Sequence, residues 1–311
     1  MKKSFKKKLN RAFWAIFALG VLWVAFAPHR HVTLPPGPPP SVTVPVEQPP
    51  LGGEEQSQQT TPPPEAGITV PTAPEETPPP PPPPSPPVAE GVKPKIAIVI
   101  DDVGVDLKGS ERAIHLASPI TLSFLPYAVR LKEEAKEARD AGHEMLLHMP
   151  MEPLGHEDPG PGALLVDLPM RDLQQRFENA LASFTGFDGV NNHMGSKFTA
   201  YADGMSMVMD ELSQRHLFYL DSRTSAQSVG KQIAEEKGLP TISRDVFLDD
   251  VQSPELIRKQ LAETERIARR KGYAVAIGHP HAATMDVMET WIPDAQARGF
   301  ELVPVHDLVK E

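Results

Sequence analysis

The sequence predicts an α/β domain of parallel strands covered by helices over residues 92–311, and three observations predict it. From Lys95 onward, short β-rich runs alternate with segments of helical spacing. The runs are continuously apolar rather than alternating, as strands buried on both faces must be. Six of them end in Asp or His, and loops between parallel strands would gather those groups on one rim of an open sheet or a barrel.

The first strand is expected at 96–100, an unbroken Ile-Ala-Ile-Val-Ile that ends in Asp101-Asp102. Further strands are expected at 120–125, 144–147, 189–192, 217–220, 241–247, 273–277 and 301–305. Helices are expected between them, near 107–117, 129–141, 170–184, 204–215, 228–237, 254–271 and 285–298. The third run leads into His148 and then Met149-Pro150-Met151-Glu152. The fourth leads into Asn191-Asn192-His193-Met194-Gly195-Ser196, the fifth into Asp221-Ser222-Arg223-Thr224. The sixth leads into Asp249-Asp250 and the seventh into Gly278-His279-Pro280-His281. Asp249-Asp250 reads as a solvated strand end. No glycine-rich phosphate loop follows any strand, which argues against a nucleotide site.

Two segments precede this domain. Of the 36 prolines, 23 lie between Pro28 and Pro87, including the run Pro78 to Pro84. Proline fixes φ and lacks an N–H, so residues 28–91 are expected to be a disordered, polyproline-rich linker. Before it, Lys2, Lys3, Lys6, Lys7, Lys8 and Arg11 precede an uncharged apolar run from Ala12 to Ala27. That order is expected of a signal anchor over residues 1–27, retained as a single-pass helix of the inner membrane with the C-terminal domain in the periplasm. Pro28 disfavours cleavage after Ala27; a cleaved signal would instead release the chain to the periplasm.

Residues 1–31 carry seven Lys or Arg and no acid, so the formal charge of −10 leaves −17 on the remainder. An acidic body of that size repels phosphate backbones and argues against nucleic acid as a partner. The chain contains no cysteine, which excludes disulfides and thiolate metal sites.

The stretches Ile96–Asp102, Gly142–Glu152, Asn192–Ser196, Leu220–Thr224 and Ala276–Pro280 resemble, in this order, the divergent polysaccharide deacetylases. The resemblance covers about 94–308. It implies the distorted (β/α) barrel of the carbohydrate deacetylase superfamily and a divalent metal, zinc by donor type. It implies Asp101 as general base, Asp102 as metal ligand and His279 as general acid. Typical members place two histidines at i and i+4; here His148 takes the first place and Glu152 the second. An arginine-proline segment of typical members is replaced by Asn191-Asn192-His193.

A catalytic zinc site needs about three protein ligands and an open position. Asp102, His148 and His193 can supply them, with Glu152 as an extra ligand or a supporting carboxylate. Asp221 is expected behind His279 or another histidine, fixing its tautomer. The expected activity is metal-dependent hydrolysis of N-acetyl or O-acetyl groups on an envelope polysaccharide or peptidoglycan. The competing expectation is a non-catalytic glycan-binding or envelope-organising protein on the same fold.

Overall fold

The computed structural model describes residues 93–309; the expected anchor at 1–27 and the whole of the expected linker at 28–91 lie outside the described residues. Among the described residues, nine strands and seven α-helices follow in strict alternation for most of the domain. They are β1 (Lys95–Val103), α1 (Leu107–Ile114), β2 (Thr121–Phe124), α2 (Leu131–Asp140), β3 (Glu144–Met151) and α3 (Met170–Leu181). Then come β4 (Gly189–Met194), α4 (Ala202–Gln214), β5 (Phe218–Asp221), α5 (Gly230–Glu236), β6 (Thr241–Ser243) and β7 (Val246–Phe247). After these come α6 (Pro254–Lys271), β8 (Tyr273–Gly278), α7 (Ala282–Ala297) and β9 (Glu301–Leu302).

The strands form one sheet in the order β6-β5-β4-β3-β2-β1-β8-β7, with β9 also paired to β1, and every pairing is parallel. The result is an α/β half-barrel. The predicted strand 241–247 is here two short strands on opposite edges of the sheet. At the junction the Arg244 N–H donates to the Asp221 carbonyl at 3.0 Å, and the next N–H, of Asp245, donates to the Val275 carbonyl at 2.8 Å. One continuous stretch of chain therefore bridges β5 and β8.

Side chains alternate faces along each strand, and two apolar clusters record the alternation. Ile96, Ile98 and Ile100 pack with helix residues such as Leu173, Leu212 and Ile257. Ala97 and Val99 instead pack with Leu146, Phe218, Leu220, Val275 and Ile277 in a cluster to which no α-helix contributes. That second cluster is the inner face. Val303, Val305 and Leu308 close it at the N-terminal end of the strands. There Glu144 accepts from the N–H groups of Val305 and His306 and from Thr121 Oγ1.

Helix α1 lies close to the β8–α7 loop, and glycine makes the approach possible. A Cβ on Gly109 would stand 2.1 Å from the Pro280 carbonyl oxygen. Gly109→Ala is expected to displace this loop and destabilise the domain by about 1–3 kcal/mol, as overpacking does. A denaturant midpoint unchanged from wild type would contradict that close approach.

Candidate active site

Continuing the inner-face alternation past the apolar core brings the polar strand ends together. On β1 the series 97, 99 reaches Asp101; on β3 Leu146 leads to His148; on β8, 275 and 277 lead to His279. On β4, Val190 packs toward the helices, so Asn191 and His193 face inward.

Asp102 reaches the same side by a bulge. The pairing of β1 with β2 shifts register between Ile100 and Val103, both of which face the helices. Two residues rather than one thus lie between consecutive outward positions. Asp102 adopts φ 57°, a left-handed conformation that costs a non-glycine residue about 1 kcal/mol or more. Both carboxylates consequently meet one imidazole: His148 Nε2 lies 3.2 Å from Asp102 Oδ1 and 3.6 Å from Asp101 Oδ2.

His193 completes a triangle. Its Nδ1 lies 2.8 Å from Asp102 Oδ1 and 3.3 Å from His148 Nε2. Donors about 2.0–2.1 Å from a tetrahedral zinc stand about 3.3–3.4 Å apart, so the triangle is close to the required size. Asp102 Oδ1 is buried and accepts no hydrogen bond despite the two nearby nitrogens. Such an oxygen fits a lone pair aimed at a common central point rather than at either ring. One oxygen and two imidazole nitrogens are a donor set suited to zinc.

The tautomer of His148 is set from behind. Asn191 Oδ1 accepts from His148 Nδ1 at 2.9 Å, leaving the Nε2 lone pair facing the triangle. Asn191 Oδ1 also accepts from Ser123 Oγ, while its amide donates to Asp101 Oδ1 at 2.9 Å and to Ser222 Oγ at 3.1 Å. A single buried amide thus orients both Asp101 and His148.

Burial pushes the Asp101 carboxyl above the usual range, against the opposing pull of His148 and His279 and the Asn191 hydrogen bond. For Asp102 burial acts in the same direction, but His148 and His193 together outweigh it and hold the carboxyl well below that range. Burial alone would lower the pKa of His148; the carboxylates of Asp101 and Asp102 raise it.

Asp221 does not stand behind a histidine. On β5, Phe218 and Leu220 face inward, so Asp221 faces away from the site. Its oxygens accept from the Arg223 N–H at 2.8 Å and from Ser228 Oγ at 2.8 Å, which shapes the loop after β5. The carboxylate behind His279 is Asp249, read from sequence as a solvated strand end. Its Oδ1 accepts from His279 Nδ1 at 2.9 Å, and its Oδ2 from the His279 N–H and from Thr284 Oγ1, each at 2.7 Å. With Nδ1 so engaged, His279 Nε2 turns toward Asp102 Oδ2, 3.9 Å away.

Asp249, His279 and His281 could also bring three donor atoms near one another. Both Asp249 oxygens are already engaged as described, which suits that carboxylate to positioning His279. Glu152 lies outside the Asp102–His148–His193 group. Its Oε1 pairs with Lys197 at 2.6 Å and its Oε2 accepts from the Val166 N–H at 2.6 Å, so it ties loops beside the site.

The same contacts set the titration of His279. Burial opposes its charge, but the hydrogen bond to Asp249 and the field of Asp101 raise its pKa to about 9. Because this exceeds the unfolded value of ~6.5, the charged imidazole stabilises the fold fully below ~6.5. That contribution is lost as pH rises through about 9. In metal-free protein, the His279 ring resonances are expected to titrate near that pH, with the midpoint falling in Asp249→Asn. An Asp249→Asn midpoint equal to wild type would remove Asp249 from this role.

Comparison with known proteins agrees with the family resemblance read from the sequence. A family model described as divergent polysaccharide deacetylase matches residues 98–309. The uncharacterized protein YibQ of Escherichia coli K12 is 36% identical over 216 residues, which are 70% of this chain and 66% of that protein. An uncharacterized protein of Haemophilus influenzae Rd is 36% identical over 195 residues, 63% of this chain and 70% of its own. The crystal structure of an uncharacterized protein from Agrobacterium tumefaciens C58 is similar at a TM-score of 0.69 and 34% identity, covering 72% of this chain and 92% of that one.

Proposed function

The chain belongs to the divergent polysaccharide deacetylase family, and on that premise we propose that it hydrolyses acetyl groups, N-linked or O-linked, from an envelope polysaccharide or peptidoglycan with the aid of a zinc-class ion. The observation that carries this reading is the Asp102–His148–His193 triangle flanked by Asp101 and His279. We take the half-barrel bridged at 241–247 as the distorted barrel of the deacetylase superfamily.

Asp102, His148 and His193 would hold the ion, which when bound supplies Lewis-acid polarisation and a lowered water pKa. Asp101, held by the Asn191 amide, takes the proton of the attacking water as general base. His279, oriented by Asp249, gives its Nε2 proton to the departing amine or alkoxide as general acid. Asn191 keeps the base and the first imidazole in register, so one side chain couples the two halves of the site.

The basic cluster before Ala12–Ala27 and the proline-rich stretch after it support placement on the outer face of the inner membrane, tethered at reach from the wall. A C-terminal reporter that is active only after export would agree with this; one active only in the cytoplasm would overturn it.

The activity is tested by acetate release from N-acetylated and O-acetylated glycans, before and after chelation. Release that disappears on chelation and returns with zinc is the expected result. Stoichiometric zinc without acetate release from any glycan would favour the non-catalytic, glycan-binding alternative. Absence of metal binding altogether would end the metal-dependent mechanism.

A further inference from the structure

Between the ends of β5 and β6, the start of α5 and the Lys271–Tyr273 stretch that opens β8 lies a polar groove of about 480 Å³. Its cations are Arg223, Lys231, Arg244 and Lys271. Two of these are matched locally: Lys271 pairs with Asp245 at 2.9 Å and Lys231 with Glu235 at 3.6 Å. The third carboxylate of the groove, Asp221, is occupied by Ser228 and a backbone N–H. Among the described residues no carboxylate lies within ion-pair distance of Arg223 or Arg244.

The backbone of the Ser222–Arg223 segment holds the Arg244 guanidinium in place. Arg244 donates through Nε to the Ser222 carbonyl at 2.7 Å and through an Nη to the Arg223 carbonyl at 2.9 Å. Its planar group lies over the Phe247 ring, 5.0 Å from the centroid. Arg223 sits in a left-handed conformation, φ 49°, fixed by its N–H on Asp221, and its side chain is exposed to the groove. Burial and the neighbouring charge of Arg223 disfavour the charged form of Arg244 and outweigh the opposing pull of Asp101, Asp221 and Asp245. Two like charges kept close together, with no carboxylate in direct contact with either, on a body that is otherwise acidic, are arranged for an anion from outside. A chain of hydrogen bonds links Arg244 to the reacting centre. Arg244 binds the Ser222 carbonyl, Ser222 Oγ binds Asn191, and Asn191 binds Asp101.

We infer that this groove is a carboxylate subsite, in which Arg223 and Arg244 take the acid group of a glycan whose acetylated sugar lies over Asp101 and His279. The inference rests on the deacetylase reading and narrows its substrate to acid-bearing glycans. The ligand chemistry follows from the donors: Arg244 spends two of its five on the backbone, and Arg223 has its fork free, which suits a planar two-oxygen acceptor.

The test separates the subsite from the chemistry by measuring binding first. The probes are a disaccharide of N-acetylglucosamine and N-acetylmuramic acid, the same disaccharide with its carboxyl reduced to the alcohol, and inorganic phosphate. Calorimetric titration of zinc-loaded protein is expected to show the acid form binding about 10- to 100-fold more tightly than the reduced form, with the advantage shrinking at high salt. Arg223→Ala should remove that advantage and leave binding of the reduced form unchanged. Arg139→Ala, a cation elsewhere on the surface, should change neither. Equal affinities for the two disaccharides, or an advantage that survives Arg223→Ala, would overturn the subsite. Phosphate that binds as tightly as the acid disaccharide, and is likewise lost in Arg223→Ala, would overturn the carboxylate assignment. Discrimination without acetate release from either form would leave the subsite standing and defeat the deacetylase reading. Acetate release from both forms at equal kcat/KM would do the reverse.

Discussion

His148→Ala and His193→Ala are each expected to abolish stoichiometric zinc binding, the largest effect of any single change in this protein. The reason is the small number of donors. The triangle of Asp102 Oδ1, His148 Nε2 and His193 Nδ1 offers three, the minimum for a catalytic zinc, so loss of one leaves two. Graded effects should follow the distance from the triangle. Asn191→Ala removes the acceptor that fixes the His148 tautomer and should weaken zinc by about 10- to 100-fold. Glu152→Gln should leave the stoichiometry intact, because Glu152 is committed to Lys197 and Val166. Elemental analysis of dialysed protein reads all four variants. If His193→Ala retains full metal while Glu152→Gln loses it, the ligand set is His148 with Glu152 instead.

Asp101→Asn should separate the metal from the chemistry. Asparagine keeps the shape of the side chain and an oxygen that can accept from the Asn191 amide, as Asp101 Oδ1 does at 2.9 Å. What it loses is the ability to take a proton. Zinc content should match wild type while kcat for acetate release falls by about 100- to 10,000-fold, the usual worth of a positioned base. Asp101→Ala is the less clean change, because it strands a buried amide at a cost of about 1–3 kcal/mol. Acetate release by Asp101→Asn at the wild-type rate would assign the base elsewhere.

Most of the fold was legible because parallel strands advertise themselves. Runs such as Ile96–Ile100 are buried on both faces, and the helix spacing between them is regular. The split of 241–247 was not legible, since nothing in Thr-Ile-Ser-Arg-Asp-Val-Phe says that consecutive residues will serve opposite edges of a sheet. Within the site, the gathering of Asp101, Asp102, His148, His193 and His279 follows from their strand ends. Asp221, the partner that the sequence suggests for His279, falls on the wrong face of its strand. Phe218, Leu220, Phe247, Val275 and Ile277 all belong to the inner cluster or pack on it, so counting by twos leads to Ser222, Asp249 and His279 and passes Asp221 by. The bulge that turns Asp102 inward breaks the same count, and only coordinates reveal such a break. In the sequence Asn191 stands out only as a departure from the family pattern; its value comes from contacts with three other strands.

The stretch that bridges β5 and β8 has a consequence for motion. Three residues of β6 and two of β7 tie this part of the wall, against eight in β3 and nine in β1. Segments so lightly tied open before the rest of a domain does, so amide hydrogens at 243–247 should exchange with solvent sooner than those of the central strands. Arg244 is anchored within this segment, between the acid-binding groove on one side and the hydrogen-bond chain to Asp101 on the other. A sugar acid gripped there would clamp the wall shut at its weakest line. Exchange at 243–247 should then slow when the acid disaccharide is added and stay fast with its reduced counterpart, so that the same contact which selects the substrate also stiffens the barrel around it.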